Sequence, residues 1–117
     1  MTEQPLIATA ALEAALQRFA DERDWQRFHT PRNLMLALTG EVGELAEIFQ
    51  WLSDEEVSRL AEDPARHTHL QEEVADVLLY LVRLASVMQL DIDAAVRDKL
   101  QKNAIKYPVP AADVPAA

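Results

Sequence analysis

Two pairs of acidic residues have a spacing that could support chemistry. Glu41 and Glu44 are three residues apart, and Glu73 and Asp76 repeat this interval further along the chain. Residues three or four positions apart are neighbours on the surface of a helix, so each pair would present two carboxylates together. Each pair also borders a row of apolar residues at helical spacing. The rows are Leu34, Leu38, Leu45, Ile48 and Leu52 for the first pair, and Leu70, Val74, Val77, Leu81, Leu84 and Met88 for the second.

A carboxylate beside a buried surface needs a cationic partner, because removing it from water unpaired costs at least several kcal/mol. The chain has no cysteine, and its three histidines do not converge with the acids in this pattern. A set of oxygen ligands suits Mg²⁺ or Mn²⁺ and does not suit zinc or copper. We therefore expect a magnesium site if the two helices pack side by side, with manganese as the other candidate. The metal ligands would be Glu41, Glu44, Glu73 and Asp76.

The acids have two other interpretations. Glutamates on helices usually belong to solvated faces, and we expect this for Glu47, Glu55, Glu56 and Glu62. A di-iron bundle also uses acids from facing helices, but it requires Glu-x-x-His on two of them. The residues three positions before the histidines are Gln26, Pro64 and Arg66, so this pattern is absent.

Length and composition limit the class of protein. With 117 residues and a mass of 13.1 kDa, the chain predicts one domain. A net charge of -9 argues against nucleic-acid binding, which depends on cations that displace counterions. The absence of cysteine excludes disulfides and thiol nucleophiles. No stretch reaches the ~18–20 apolar residues that cross a bilayer, and the first residues lack a secretory pattern, so we expect a cytoplasmic protein without membrane contact.

The elements that position the acids are predicted to be helices alone, because helix-forming residues dominate and strand patterns are nearly missing. Thr30-Pro31, Ser53 with Glu56, Asp63-Pro64 and Asp91 have the form of helix starts. The predicted helices cover about residues 9–27, 31–51, a short piece from 54, 64–89 and 92–107. We expect a folded domain over residues 9–108, with flexible ends at 1–8 and 109–117.

The acids and their flanking residues together resemble one known family. Glu41-x-x-Glu44 followed by Glu73-x-x-Asp76 is similar to the signature of the MazG-like nucleoside triphosphate pyrophosphohydrolases. Further segments across residues 10–108 resemble the dCTP pyrophosphatase branch of that family. They are Asp24-Trp25, Phe28-His29, Pro31-Arg32-Asn33-Leu34, Phe49-Gln50-Trp51, Asp76-Val77-Leu78-Leu79-Tyr80, and Lys99 with Asn103 and Lys106-Tyr107-Pro108.

This resemblance implies hydrolysis of a deoxynucleoside triphosphate between its α and β phosphates, with Mg²⁺ required. The acidic residues would hold the metal, because an acidic pocket accepts a triphosphate only when divalent ions screen the charges. Glu44 is our choice for the carboxylate that takes the proton of the attacking water, with Glu41 as the second catalytic acid.

Further residues would contact the substrate. The resemblance favours phosphate contacts by Lys99, Asn103, Lys106 and Tyr107, whereas without it a solvated helix end would be the preferred explanation of these residues. Trp25, Trp51 and Tyr80 could stack on the base, and His29 could contact the nucleotide, although each is by itself a common type of core or loop residue.

The resemblance and the apolar character of the second helix also predict association. That helix has apolar or small residues on most sides, more than one small protomer can cover. We therefore expect a four- to five-helix MazG-like bundle completed by oligomerisation, as a homotetramer before a dimer. Two alternatives stay open: the same fold acting on dUTP or on damaged nucleotides, and a non-catalytic acidic oligomer that binds a protein partner.

Overall fold

The structure is a computed structural model that describes residues 4–110, and these residues form five α-helices and no β-strand. The expected all-α class is therefore confirmed. Parts of the two ends expected to be flexible, residues 1–3 and 111–117, lie outside the described residues. The helices are α1 (Ala10–Glu22), α2 (Pro31–Phe49), α3 (Asp54–Ser58), α4 (Pro64–Val87) and α5 (Ile92–Lys106), with 3₁₀ turns at Gln26–Phe28 and Leu60–Glu62.

The four predicted helix starts are confirmed. At each of them a side-chain oxygen accepts a hydrogen bond from a backbone N–H of the first turn, which satisfies a donor that has no partner inside the helix. Before α3 the capping is reciprocal: Ser53 Oγ accepts from the Glu56 N–H, and Glu56 Oε1 accepts from the Ser53 N–H, each at 3.2 Å. The other capping residues are Thr30, Asp63 and Asp91.

Two helix ends differ from the sequence prediction. We expected the first helix to reach residue 27, but it stops at Glu22 because Asp24 adopts a left-handed conformation with φ of 54°. The Trp25 N–H then bonds back to the Ala20 carbonyl at 2.8 Å, the pattern of a Schellman motif. Gln89, with φ of 58°, ends α4 in the same way.

The core lies where α2 and α1 pack against α4. Leu34 and Leu38 of α2 are buried against this contact, together with Val82 and Ala85 of α4 and Ala20 of α1. The contact between α2 and α4 is the most extensive in the chain. These two helices are also the ones that carry the acidic pairs.

Apolar side chains remain exposed along the same two helices. On α4, Val74, Leu78 and Leu81 follow one stripe and are about half exposed. The radius of gyration is 18.5 Å, whereas a compact domain of this length has about 13 Å. None of the helices within residues 4–110 combines the length and apolarity needed to cross a bilayer. The exposed stripe is therefore a surface that a second protein chain could cover.

Helix α5 stands apart from this core, since its contacts with the other helices are few. Its start is held by the N-terminal segment. Asp93 Oδ1 accepts hydrogen bonds from the Leu6 and Ile7 N–H groups at 2.7 and 3.1 Å, while Asp93 Oδ2 accepts from Arg97 Nε at 3.0 Å. These bonds lower the pKa of Asp93, the bond from Ile7 contributing most. The direction of α5 thus depends on a polar anchor more than on apolar packing.

Candidate functional site

The packing of α2 on α4 brings the predicted acids together. Glu41, Glu73 and Asp76 each place one carboxylate oxygen so that the three atoms lie within 4.8 Å of one another. The three residues are partly buried. Their positions follow from the two helices, because Glu73 and Asp76 lie one turn apart on α4 and face Glu41 of α2. Three carboxylate oxygens at this separation could share one cation.

Two carboxylate oxygens of these residues have no hydrogen-bond partner among residues 4–110. Glu41 Oε2 and Glu73 Oε2 are buried and accept no hydrogen bond. A buried charged acceptor without a donor is expensive, and native structures rarely contain one without an explanation. A divalent cation with a preference for oxygen ligands would satisfy both atoms at once. The donor set therefore fits Mg²⁺ or Mn²⁺.

The acids of the cluster lie close enough to repel one another, and Glu44 lies at the solvent-exposed edge. Burial raises the pKa of Glu41, and the neighbouring carboxylates of Glu44, Asp76 and Glu73 raise it further. The pKa of Glu73 is raised by burial and then by Glu44 and Asp76, while His69 opposes the shift. All four acids thus repel one another, and a cation would relieve this repulsion.

A large open cavity adjoins the cluster on the side of Glu44 and Glu73. Its volume is about 570 Å³. Trp51 stands at this cavity with 84% of its surface exposed, so its ring faces solvent and makes no core contact of consequence. Arg66 and His69 supply basic groups at this cavity from the same helix as Glu73, and His69 Nε2 lies 3.5 Å from Glu73 Oε1. This cavity therefore combines acids, an aromatic ring and cations.

The other predicted aromatic residues line two smaller cavities. Trp25, His29 and Tyr80 border both a cavity of about 350 Å³ and one of about 170 Å³. Asp76 of the acid cluster lines the smaller cavity as well. Trp51 lines neither, so within one chain the structure separates Trp51 from Trp25 and Tyr80.

Arg83 forms a buried polar network beside these aromatic residues. Only 5% of its surface is exposed. Its Nε donates to His29 Nδ1 at 3.0 Å, and its Nη1 donates to Gln17 Oε1 at 2.8 Å. Burial lowers the pKa of His29, and the Arg83 charge lowers it further, so the imidazole is neutral at neutral pH. One alternative to a metal site would pair Arg83 with the acids, but the described residues show it bonded to His29 and Gln17.

The residues predicted to meet the phosphates are not at the acid cluster of their own chain. Lys99, Asn103, Lys106 and Tyr107 lie on or directly after α5, and none of them lines the cavities described above. Lys99 and Lys106 are exposed, and Lys106 Nζ lies 5.3 Å from the centre of the Tyr107 ring. Their contact with a nucleotide stays a prediction that requires another chain.

Sequence reasoning did not propose Arg66, His69, Gln17 or the His29–Arg83 pair as parts of a site. The position of Arg83 could have been noticed in the sequence, because it follows Glu73, Asp76 and Tyr80 in a polar row along α4. No sequence pattern indicated Arg66. The glutamates expected on solvated faces are all exposed in the structure: Glu47, Glu55, Glu56 and Glu62.

Comparison with known sequences decides the family. The sequence model described as the MazG-like family matches residues 37–114, which include all four acids. The chain belongs to the MazG-like family. Its five-helix fold and paired acids are thus those of a MazG-like protein, as the resemblance implied.

Several named proteins are also similar in sequence to this chain. The chain is 56% identical over 91 residues to dCTP pyrophosphatase 1 of Rattus norvegicus, a match that covers 78% of this chain and 54% of the rat protein. The human protein of the same name is 53% identical over 90 residues, covering 77% of this chain and 53% of its own length. This MazG-like chain therefore spans about half the length of its mammalian relatives.

A solved structure gives the same fold. The crystal structure of a pyrophosphatase from Archaeoglobus fulgidus superimposes with a TM-score of 0.77 at 39% sequence identity. The match covers 93% of this chain and all of the archaeal chain. This MazG-like chain is therefore similar over most of its length to the solved chain of that pyrophosphatase.

Proposed function

We propose that this MazG-like protein is a Mg²⁺-dependent nucleotide pyrophosphohydrolase that converts dCTP, or a modified dCTP, to dCMP and pyrophosphate. The observation that carries the proposal is the pair of unpartnered buried oxygens, Glu41 Oε2 and Glu73 Oε2, within the acid cluster. The names of the mammalian and archaeal relatives support the reaction. In the cytoplasm, such an enzyme would remove unwanted triphosphates from the nucleotide pool.

Glu41, Glu44, Glu73 and Asp76 would hold the metal. When bound, the ion screens the acids from the phosphates, orients the α phosphate and lowers the pKa of a nearby water. Mg²⁺ is favoured over Mn²⁺ only by the usual chemistry of triphosphates, since the ligand set accepts both.

Glu44 would act as the general base. Its exposed position at the edge of the cluster leaves it accessible to solvent, while Glu41 and Glu73 are more buried. Its carboxylate would accept a proton from water as the water oxygen bonds to the α phosphorus. The bond from that phosphorus to the oxygen bridging to the β phosphate breaks, and its electron pair leaves with pyrophosphate.

The nucleoside would lie on the aromatic side of the cluster. Trp25 and Tyr80 line the two smaller cavities with His29, and Asp76 of the acid cluster lines the cavity of about 170 Å³. Trp51 stands at the larger cavity, where its exposed ring offers a second stacking surface. The base would therefore be held by Trp25, His29 and Tyr80, and Trp51 would reach the same base only from a second chain, because it is separated from these residues within one chain.

The phosphate-binding residues would come from a second chain in a homotetramer, with a dimer as the smaller alternative. Support comes from the exposed apolar stripes and from α5, which extends away from its own core. Lys99, Asn103, Lys106 and Tyr107 of one protomer would then face the acids of another. Mixing two inactive variants tests this arrangement: hybrids of Glu73→Gln and Lys99→Ala protomers should recover activity, whereas a site within one chain would give none.

The experiment for the reaction is a panel of triphosphates incubated with Mg²⁺ and resolved by ion-exchange chromatography. We expect dCTP to be converted fastest, with dCMP as product. Faster conversion of dUTP or of a damaged nucleotide would favour the first alternative, in which the same fold has another substrate. Equal rates on all bases would refute the dCTP assignment.

The alternative of another class is an acidic helical oligomer that binds a protein partner. Calorimetry distinguishes it from an enzyme. We expect a non-hydrolysable dCTP analogue to bind only in the presence of Mg²⁺. A scaffold would show no metal-dependent nucleotide binding.

A further inference from the structure

Arg83 is a buried cation with no anionic partner among residues 4–110. Its two hydrogen bonds go to neutral acceptors, His29 Nδ1 and Gln17 Oε1. Guanidinium has five N–H donors, so three of them have no partner in the described part of the chain. Burying a charge without an opposite charge is costly, and a ligand that offers further hydrogen-bond acceptors would offset part of that cost.

Arg83 borders a cavity whose size suits one ring of a base. Arg83 lines the cavity of about 170 Å³ together with Trp25, His29, Tyr80 and Asp76. A protein cavity of roughly 150 Å³ holds one benzene ring, so this space suits a single six-membered ring. Asp76 and Arg83 are two turns apart on α4, about 10 Å along the helix axis. A ring in the cavity would thus lie between the aromatic residues and within reach of the guanidinium.

Two side chains hold the guanidinium in one orientation. His29 and Gln17 come from different parts of the chain, and both act as acceptors. Because Arg Nε only donates, His29 Nδ1 must be unprotonated and the imidazole carries its proton on Nε2. The lowered pKa of His29, caused by burial and by the Arg83 charge, agrees with this neutral tautomer. A planar fork fixed on two sides is suited to bidentate recognition.

We propose that Arg83 reads the cytosine edge of the substrate, donating to N3 and O2 of the base. This inference rests on the proposed function and adds the residue that sets its specificity. Cytosine presents two adjacent acceptors at N3 and O2, which match two parallel N–H donors. Uracil and thymine carry a hydrogen on N3, so their N3–H would oppose an N–H of Arg83. The same fork therefore attracts cytosine and rejects the other pyrimidines.

The test combines a protein variant with an altered base. With the wild type, 3-deaza-dCTP, which lacks the N3 acceptor, should show kcat/KM about tenfold or more below that of dCTP, the range of one bidentate base contact. In Arg83→Gln, dCTP should fall to the level of dUTP, and 3-deaza-dCTP should no longer differ from dCTP. Arg83→Lys keeps the charge without the fork and should also lose the preference.

The control is Arg59→Gln, which removes an exposed arginine paired with Glu55 at 2.6 Å. We expect it to keep the wild-type preference. Should Arg83→Gln fail to fold by circular dichroism, the wild type still decides, because equal rates on dCTP and 3-deaza-dCTP would overturn the inference. Equal losses for dCTP and dUTP in Arg83→Gln would overturn it too, since the guanidinium would then contact the phosphates. If the wild type hydrolyses no triphosphate, the proposed function fails and the inference with it.

Discussion

Glu41 of α2 and Glu73 of α4 converge across the helix contact, and each keeps its Oε2 atom buried without a hydrogen-bond donor. Neither acid is needed to hold the helices together, since apolar residues such as Leu34 and Val82 form the core. Two unsatisfied carboxylates in one contact destabilise the metal-free fold. A cation bound between Glu41 and Glu73 would explain why both Oε2 atoms are buried without a donor.

The first prediction concerns stability in the absence of metal. The pKa of Glu41 is raised above its ordinary value of 4.5 by burial and by the neighbouring acids. Between the ordinary glutamate pKa and the raised one, Glu41 keeps its proton in the folded state and loses it in the unfolded state. The free energy of unfolding therefore falls as the pH rises through this range. Glu41→Gln has no such proton to lose. In EDTA at neutral pH we expect its Tm to exceed that of the wild type by on the order of 4 °C.

Thermal melts at several pH values test the direction of this change in stability. The difference between Glu41→Gln and wild type should shrink toward zero as pH approaches the ordinary glutamate pKa, where both forms are neutral. Added Mg²⁺ should stabilise the wild type and leave Glu41→Gln nearly unchanged. A Glu41→Gln variant that is less stable than the wild type at neutral pH, without metal, would contradict the interpretation.

The second prediction concerns metal binding. Glu73→Gln and Asp76→Asn each remove one charged ligand from the cluster, and we expect affinity for Mn²⁺ to fall by about 10–100-fold or more in titration calorimetry. Hydrolysis should fall with it. Glu47→Gln is the matched control, because Glu47 is an exposed glutamate on α2 outside the cluster. Similar Mn²⁺ affinity for all three variants would exclude the cluster as the metal site.

The third prediction concerns assembly. Leu78 and Leu81 lie on the exposed stripe of α4. Leu78→Glu should lower the molar mass measured by light scattering from that of an oligomer to that of the protomer, because a charge cannot be buried there without a partner. Activity should fall in parallel if the phosphate-binding residues come from another chain. Glu72→Gln changes an exposed residue of the same helix and should leave the mass unchanged. An unaltered mass in Leu78→Glu would place the interface elsewhere.

The fourth prediction separates the fold from the site. Ser53→Ala removes the capping oxygen before α3 and should destabilise the protein by about 1 kcal/mol. Because Ser53 touches none of the four acids, kcat/KM for dCTP should stay within about twofold of the wild type at temperatures well below the melt. Chemical denaturation and steady-state kinetics give the two readings. A large kinetic loss would mean that α3 positions the site.

The features predictable from the sequence were those encoded locally. The starts of α2 and α4 followed from capping residues and prolines, and the convergence of Glu41 with Glu73 followed from helical periodicity plus the packing of two apolar rows. The end of α1 was missed because its left-handed residue is Asp24, where glycine is the usual signal.

The features that could not be predicted depend on contacts between distant segments. Arg83 and His29 are 54 positions apart, and nothing in either local sequence indicates their hydrogen bond. The position of α5 is also set from far away, by the bonds of Leu6 and Ile7 to Asp93. Periodicity identifies the face of a helix, whereas the partner of that face is decided by the packing of the whole chain.

The proposed reaction is tested most directly by following the water oxygen when dCTP is hydrolysed with Mg²⁺ in ¹⁸O-labelled water. We expect label in the phosphate of dCMP and unlabelled pyrophosphate, because water held beside Glu44 would attack the α phosphorus. Mass spectrometry of the products gives the answer in one experiment. Label in pyrophosphate, release of dCDP with inorganic phosphate, or the same rate in Glu41→Gln would contradict it.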